Sequence, residues 1–118
     1  MSDSIYIPDD EFVKLRSYAW SLARRSLKSG IMDCVYFVAP VEGGPIKIGT
    51  TGDPNKRFNT IQSCSPLPLH FVAIAPGGRD LESTYHTLFA RERLHGEWFE
   101  LSERLMDEVS SLVRRWVG

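Results

Sequence analysis

Cysteine is scarce in this chain, which holds only Cys34 and Cys64 among its 118 residues. Two cysteines at unrelated positions make neither a disulfide framework nor the spaced pairs of a zinc site. The three histidines are equally scattered and add no zinc-binding pattern. We therefore expect both thiols to be reduced and structural, in a protein of the cytoplasm.

Long apolar runs are also missing, and none approaches the ~20 residues that a membrane-spanning helix needs. The opening segment, MSDSIYIPDD, is acidic and lacks the apolar centre of a secretory signal. Low-complexity segments, internal repeats and long linkers are absent as well. These features predict one domain with a single modest core and no membrane contact.

Neither sign of charge dominates, since 14 Lys and Arg stand against 15 Asp and Glu, for a net charge of −1. This balance argues against a protein that coats nucleic acid indiscriminately, although local basic clusters can still bind phosphate. The clusters are Arg24, Arg25 and Lys28; Lys47, Lys56 and Arg57; Arg91 and Arg93; and Arg114 and Arg115. For the first and last clusters, a solvated helix face is the simpler interpretation.

A strand–turn–strand pattern occupies residues 35–51, VYFVAPVEGGPIKIGTT. Gly43-Gly44 separates two apolar, β-branched runs, and such a pair favours a hairpin turn because glycine reaches positive φ at little cost. Side chains alternate along a strand, so Tyr36 and Lys47 are expected on one sheet face while their apolar neighbours face the core.

The hairpin is followed by Asp53-Pro54, which predicts the start of a helix. Asp can cap the free N–H groups, and Pro fits the first helical position, where its missing donor is no loss. Arg57 lies in the first turns of this helix and can lean over the same sheet face. A phenol, an ammonium and a guanidinium on one small surface suit a phosphate.

A carboxylate and an imidazole, Glu82 and His86, lie one turn apart on a later predicted helix, residues 81–93. The simpler interpretation is an ordinary exposed side-chain pair. The functional interpretation is a cation site, because hard ions such as Mg²⁺ prefer carboxylate and water oxygens. His86 has several open roles: orienting Glu82 or a metal-bound water, touching phosphate, or a satisfied histidine at the core edge.

Together these motifs resemble the GIY-YIG nuclease superfamily, over about residues 34–101. The VYF triplet at 35–37 stands at the GIY position and the KIG triplet at 47–49 stands at the YIG position. Tyr36 thus matches the first Tyr of the family and Lys47 the second, a position that some members fill with Lys. Arg57 matches the Arg of the following helix, and Glu82 matches the metal-binding Glu.

The closing segment GEWF, residues 96–99, is similar to the ending of a phage and bacterial branch related to a meiotically up-regulated gene product. Glu97 stands near the position where many members place Asn. It either supports the cleft from behind the metal ligand, makes a weaker metal contact, or is a surface carboxylate. Trp98 and Phe99 are expected to close the core.

The resemblance implies a metal-dependent DNA endonuclease that hydrolyses phosphodiester bonds with one Mg²⁺ or Mn²⁺. Tyr36 would take or relay a proton from water, with help from Lys47, and Glu82 would hold the cation. Arg57 would grip the scissile phosphate. The predicted catalytic residues are Tyr36, Lys47, Arg57, His86 and Glu82, and the predicted phosphate or DNA contacts are Lys47, Thr50, Lys56 and Arg57.

The predicted fold is a small α/β (α+β) domain with a three-stranded antiparallel sheet flanked by helices. Residues 1–30 form an N-terminal arm and helix of the same domain, and residues 31–118 form the nuclease-like part. The predicted strands are 34–39, 45–50 and 69–75, the last apolar enough for a central position. The last helix follows Ser102, and its apolar stripe favours packing on the sheet over a membrane surface.

Other functions stay open at this level. A non-catalytic DNA- or protein-binding module could use the same scaffold. The side chains alone do not exclude an effector that acts on RNA. No DNA-reading module accompanies the domain, so specificity would come from loops, a homodimer or a recruiting protein partner.

Overall fold

The computed structural model describes residues 8–30 and 32–116, so the predicted arm at residues 1–7 lies outside the described part of the chain. The described residues form an α+β fold. Its helices are α1 (Asp9–Ser29), α2 (Pro54–Ser63), α3 (Arg79–Leu88) and α4 (Glu103–Trp116). Its strands are β1 (Cys34–Pro40), β2 (Ile46–Thr51), β3 (Leu69–Pro76), β4 (Arg93–His95) and β5 (Trp98–Phe99).

The five strands make one antiparallel sheet in the order β3-β1-β2-β5-β4, so the predicted three-stranded sheet is wrong. The predicted helix of residues 81–93 ends early at Leu88, and a 3₁₀ turn, Ala90–Glu92, brings the chain back to the sheet. β4 and β5 have three and two residues, which is too short for a strand pattern to show in the sequence.

The prediction of a central position for residues 69–75 is also wrong, because β3 lies at one edge of the sheet and pairs with β1. Its apolar character has another cause. Helices cover both of its faces, so Ala73 and Ala75 enter the main core while Leu69 and Phe71 pack on the opposite face.

The sheet has two unequal covered faces. On one face, Phe37 and Ile48 pack with residues of α1, α3 and α4 in the main core. On the other face, α2 covers β1 and β3 through a smaller apolar cluster. Its members are Tyr36, Val38, Leu69, Phe58, Ile61 and Phe71. Because α2 has only 10 residues, it leaves β2 and β5 open beside it.

The predicted start of α2 is confirmed. The side chain of Asp53 accepts a hydrogen bond from the backbone N–H of Lys56 at 3.1 Å, and Pro54 is the first helical residue. This cap satisfies one of the free N–H groups at the helix start. It also fixes where α2 begins relative to β2, and therefore where the side chain of Arg57 emerges.

The two terminal helices meet through a buried carboxylate. Glu108 on α4 is 1% exposed, and its Oε2 accepts hydrogen bonds from Trp20 Nε1 on α1 at 2.7 Å and from the Tyr85 hydroxyl on α3 at 2.6 Å. The apolar stripe of α4 therefore faces protein, with Leu105 and Leu112 in the main core. None of the described helices is long and apolar enough to cross a membrane.

Candidate functional site

Tyr36 and Gly49 face each other across β1 and β2, and this pair forms the floor of the site. A Cβ at Gly49 would collide with the Tyr36 hydroxyl and would lie 3.0 Å from Oε1 of Glu97. Only glycine therefore lets the phenol ring lie across β2 and lets Glu97 approach it. The glycine of the KIG triplet thus has a packing reason that the sequence alone does not disclose.

The Tyr36 hydroxyl is buried, with the residue 0% exposed, and it makes no hydrogen bond within the described part of the chain. Burial raises the pKa of this phenol, and the negative charge of Glu97 raises it further. Arg57 lies near enough for its positive charge to lower the pKa in part, although its guanidinium makes no hydrogen bond to the phenol. Tyr36 is therefore a protonated phenol at neutral pH.

Lys47 lies on the same sheet face as Tyr36, as alternation predicts, because it pairs with Val38 two positions along the hairpin. Its Nζ is 3.1 Å from Oε1 of Glu97, in an ion pair whose side chains are 18% and 39% exposed. The same Nζ lies 5.6 Å from the ring centroid of Trp98. Lys47 thus neutralises Glu97, and Arg57 is the cation that lowers the pKa of Tyr36.

Glu82 and Glu97 bring two carboxylates together from α3 and from the turn before β5. Burial of Glu82 raises its pKa first, and the charge of Glu97 and a hydrogen bond to that residue raise it further. His86 and Arg79 lower the pKa, but the net shift is upward. Two carboxylates that share one place in this way favour either a shared proton or a cation between them.

The candidate cation ligands are these two carboxylates alone. Among residues 8–30 and 32–116, no three His, Cys, Asp or Glu side chains lie close enough to hold a metal ion. Mg²⁺ is commonly held by one or two carboxylates and keeps several waters, so a two-carboxylate set fits it better than it fits zinc.

His86 anchors α3 to the sheet. Its Nε2 lies 2.9 Å from the carbonyl oxygen of Ile48, and since a carbonyl only accepts, Nε2 carries the proton. The centroid of the His86 ring lies 5.0 Å from the centroid of the Phe99 ring. Ile48 lies just after Lys47, where the pairing of β2 with β5 ends. By fixing α3 at this point, the bond to Ile48 also sets the position of Glu82 one helical turn away. Of the roles open to His86, the geometry favours orientation of Glu82.

The predicted phosphate contacts divide into two groups. Arg57 and Lys56 are exposed on α2 and line a shallow surface depression with Thr51, Asp53 and Thr60. Thr50 lies elsewhere: it pairs with Val35, whose side chain enters the main core, and its hydroxyl donates to the carbonyl of Cys34 at 3.1 Å. The structure therefore brings Arg57 to the site and leaves Thr50 on the opposite sheet face.

Trp98 belongs to the site, although the sequence predicts it in the core. As neighbours in a strand, Trp98 and Phe99 point to opposite faces, and only Phe99 is buried in the main core. Trp98 pairs with Lys47 and so lies on the Tyr36 face. It borders a cavity of about 330 Å³ between α2 and β5, which we call the α2–β5 groove. The groove is lined by Lys47, Arg57, Thr60, Ile61, Cys64, Ser65 and Trp98.

A small α+β domain that gathers basic side chains, a phenol and paired carboxylates around one glycine of its sheet has the features of a nuclease-like module. Residues 33–117 match the T5orf172 domain, and the chain belongs to this family. The family is nuclease-like, which supports a DNA-related role. No curated protein matches the chain. No solved structure matches it either.

Proposed function

We propose that this protein is a metal-dependent DNA endonuclease of the GIY-YIG type, which hydrolyses phosphodiester bonds. The observation that carries the proposal is convergence. Tyr36, Arg57, Glu82 and Glu97 come from four separate parts of the chain, and the charges of the last three all act on the Tyr36 phenol beside Gly49. Ordinary surface charges spread apart, whereas perturbed groups that cluster in this way are typical of functional sites.

Phosphate binding falls to the two cations on the sheet face. Arg57 presents a planar guanidinium at the edge of the site, with a geometry that can hold two phosphate oxygens at once. Lys47 lines the same α2–β5 groove and supplies a compact point charge. As the attacking water adds to phosphorus, the charge on the phosphate oxygens grows, and Arg57 is placed to stabilise it.

Proton transfer falls to Tyr36. Because burial and Glu97 hold the pKa of the phenol above its ordinary value, Tyr36 does not act as a standing phenolate. It acts as a relay: the attacking water gives a proton to the phenol oxygen while the phenol passes its own proton to a second water. The phosphorus–oxygen ester bond breaks, and the leaving oxygen takes up a proton from solvent.

A divalent cation fits the pair of Glu82 and Glu97, because it would relieve the like-charge contact that raises the pKa of Glu82. Mg²⁺ or Mn²⁺ held there would act as a Lewis acid toward the phosphate and leaving oxygens. His86 keeps Glu82 in place through its bond to the carbonyl of Ile48, so the carboxylate is held ready before DNA arrives.

The proposal is tested with supercoiled plasmid incubated with the purified protein and Mg²⁺, Mn²⁺ or EDTA. We expect nicking with metal and none with EDTA, and a fall of about 10²–10³-fold in Glu82→Gln and in Arg57→Ala. Matched controls are Glu103→Gln at the exposed start of α4 and Arg24→Ala on α1, which covers the opposite sheet face. Cleavage by a folded Glu82→Gln variant at the wild-type rate would contradict the proposal.

A second candidate, a module that binds DNA without cutting it, is favoured by one observation. The Tyr36 hydroxyl is fully buried and protonated, so in this arrangement no water reaches it. In that case plasmid would be bound in a gel-shift assay with Mg²⁺ or Mn²⁺ present and would stay supercoiled. Binding and nicking measured in the same samples separate the two functions.

A further inference from the structure

The α2–β5 groove shares Arg57 and Lys47 with the proposed phosphate site, but the rest of its lining has no part in the chemistry assigned to that site. Arg57 and Lys47 supply positive charge to the groove, and the rest of the lining is Ile61, Thr60, Ser65, Cys64 and Trp98. A volume of about 330 Å³ lies at the lower end of the ~300–1,000 Å³ range of small-ligand pockets, so it suits one nucleoside-sized group.

Trp98 gives the groove an aromatic wall. It is only partly buried although indole is among the most apolar side chains, and its cross-strand partner is the charged Lys47. The Nζ of Lys47 lies over the Trp98 ring at 5.6 Å from its centroid, and the ring also borders the groove. A partly exposed indole beside cations is an arrangement on which proteins stack unpaired bases next to their phosphates.

The groove has this form because of the fold. α2 ends after 10 residues and packs through Phe58 and Ile61 over β1 and β3, so β2 and β5 lie uncovered next to it. Arg57 stands where the groove and the candidate site meet, since it lines the groove and also lowers the pKa of Tyr36. A nucleotide whose phosphate lies on Arg57 can therefore place its base in the groove.

We infer that the α2–β5 groove is a subsite for one unpaired base of a DNA strand, stacked on Trp98 next to the phosphate held by Arg57. The inference rests on the proposed function and refines its substrate class. A base within a continuous duplex is stacked and paired, and it reaches a recess only after it is turned out, which costs free energy. The preferred substrate is then DNA that carries an unpaired nucleotide, rather than unbroken duplex.

The test is binding in EDTA, where no cleavage occurs under the proposed function. Two fluorescein-labelled duplexes of equal length are compared by anisotropy, one fully paired and one with a single bulged nucleotide. We expect wild-type protein to bind the bulged DNA roughly tenfold more tightly, as one stacked base allows. Trp98→Ala should lose this preference, Trp98→Phe should keep most of it, and Trp116→Phe is the matched control.

A second variant keeps the test decisive if Trp98→Ala does not fold. Thr60→Tyr fills the groove from the exposed face of α2 and removes no core contact, so it should also abolish the preference. Equal affinity of the wild type for both duplexes, or an undiminished preference in Thr60→Tyr, overturns the subsite.

Failure of the subsite and failure of the proposed function are separable in these experiments. Nicking of plasmid together with equal binding of both duplexes would overturn the subsite and leave the endonuclease standing. Preference for bulged DNA without nicking would support the subsite on a binding module.

Discussion

Two buried tyrosines in this molecule differ in what their hydroxyls do. Tyr36 lies in the candidate site with a hydroxyl that makes no hydrogen bond among the described residues, whereas the hydroxyl of Tyr85 donates to Glu108 at 2.6 Å. A buried polar group without a partner costs stability, and a paired one contributes to it. Under the proposed function, this contrast separates a tyrosine that takes part in chemistry from one that stabilises the fold.

Replacement of each tyrosine by Phe should therefore have opposite effects. Tyr36→Phe removes an unpaired hydroxyl, so the free energy of unfolding should stay unchanged or rise by about 1 kcal/mol while plasmid nicking is lost. Tyr85→Phe breaks a hydrogen bond to a buried carboxylate and should lower the free energy of unfolding by about 1–3 kcal/mol. Urea denaturation and the plasmid assay measure both. Strong destabilisation by Tyr36→Phe would mean that its hydroxyl has a partner.

At the scale of elements, the 3₁₀ turn before β4 is joined to α4 by a charged network. Glu92 is 5% exposed, and its carboxylate accepts bonds from Arg104 Nε at 2.8 Å and from the Ser102 hydroxyl at 2.6 Å. Burial alone would raise the pKa of Glu92, but the bonds from Arg104 and Ser102 outweigh burial and hold the pKa below its ordinary value of 4.5. The guanidinium of Arg104 also lies 4.5 Å from the ring centroid of Phe12, which brings α1 into the same network.

This network predicts a loss of stability in acid. A carboxyl group whose pKa is lower in the folded state stabilises the protein above its unfolded pKa, and the contribution is lost as the pH falls through the folded pKa. The free energy of unfolding should therefore decrease below about pH 4.5, as measured by urea denaturation between pH 7 and pH 3.

The control for that prediction is Glu92→Gln, in which the group no longer titrates. It should be less stable than the wild type at pH 7 by about 2 kcal/mol, because a charged acceptor is lost. Its stability should also depend less on pH in the acid range. Equal acid dependence in the two proteins would assign the effect to other carboxylates.

At the scale of the whole molecule, α1 lies before the family match at residues 33–117 but is built into the same core. Ala19 and Ala23 are buried there, and Trp20 Nε1 supplies one of the two bonds to Glu108. Without α1, Glu108 would keep only the Tyr85 bond and would face solvent from an apolar surface.

A fragment of residues 33–118 should therefore fail to fold as the full chain does. We expect a loss of the cooperative thermal transition in circular dichroism and aggregation in size-exclusion chromatography, because part of the core is exposed. The single variant Trp20→Phe, which keeps an aromatic ring but removes the donor, should fold and lose about 1–3 kcal/mol. A stable, monomeric fragment would contradict this view of α1.

Local signals in the sequence predict the part of the fold that depends on neighbouring residues. The Asp53-Pro54 start of α2 and the hairpin around Gly43-Gly44 involve residues close in the chain, and the structure confirms both. β5 is different: its two residues are held by pairing with β2, about fifty positions earlier, and no local pattern carries that information.

The same distinction applies to the site. Alternation of side chains correctly predicts that Tyr36 and Lys47 share a sheet face. The same rule places Thr50 on the other face, because it is three positions after Lys47. The placement of Trp98 at the site and the contact of Glu97 with Glu82 both depend on β5 joining the sheet, so the sequence alone did not predict them.

The ion pair of Lys47 with Glu97 has a consequence for how ligands affect each other. In the free protein the ammonium already neutralises one of the two carboxylates proposed for the cation. A DNA phosphate that draws Lys47 away would release that carboxylate to bind a cation more tightly. Because such coupling is reciprocal, bound Mg²⁺ or Mn²⁺ would strengthen the hold on DNA by the same factor, making the two ligands cooperative.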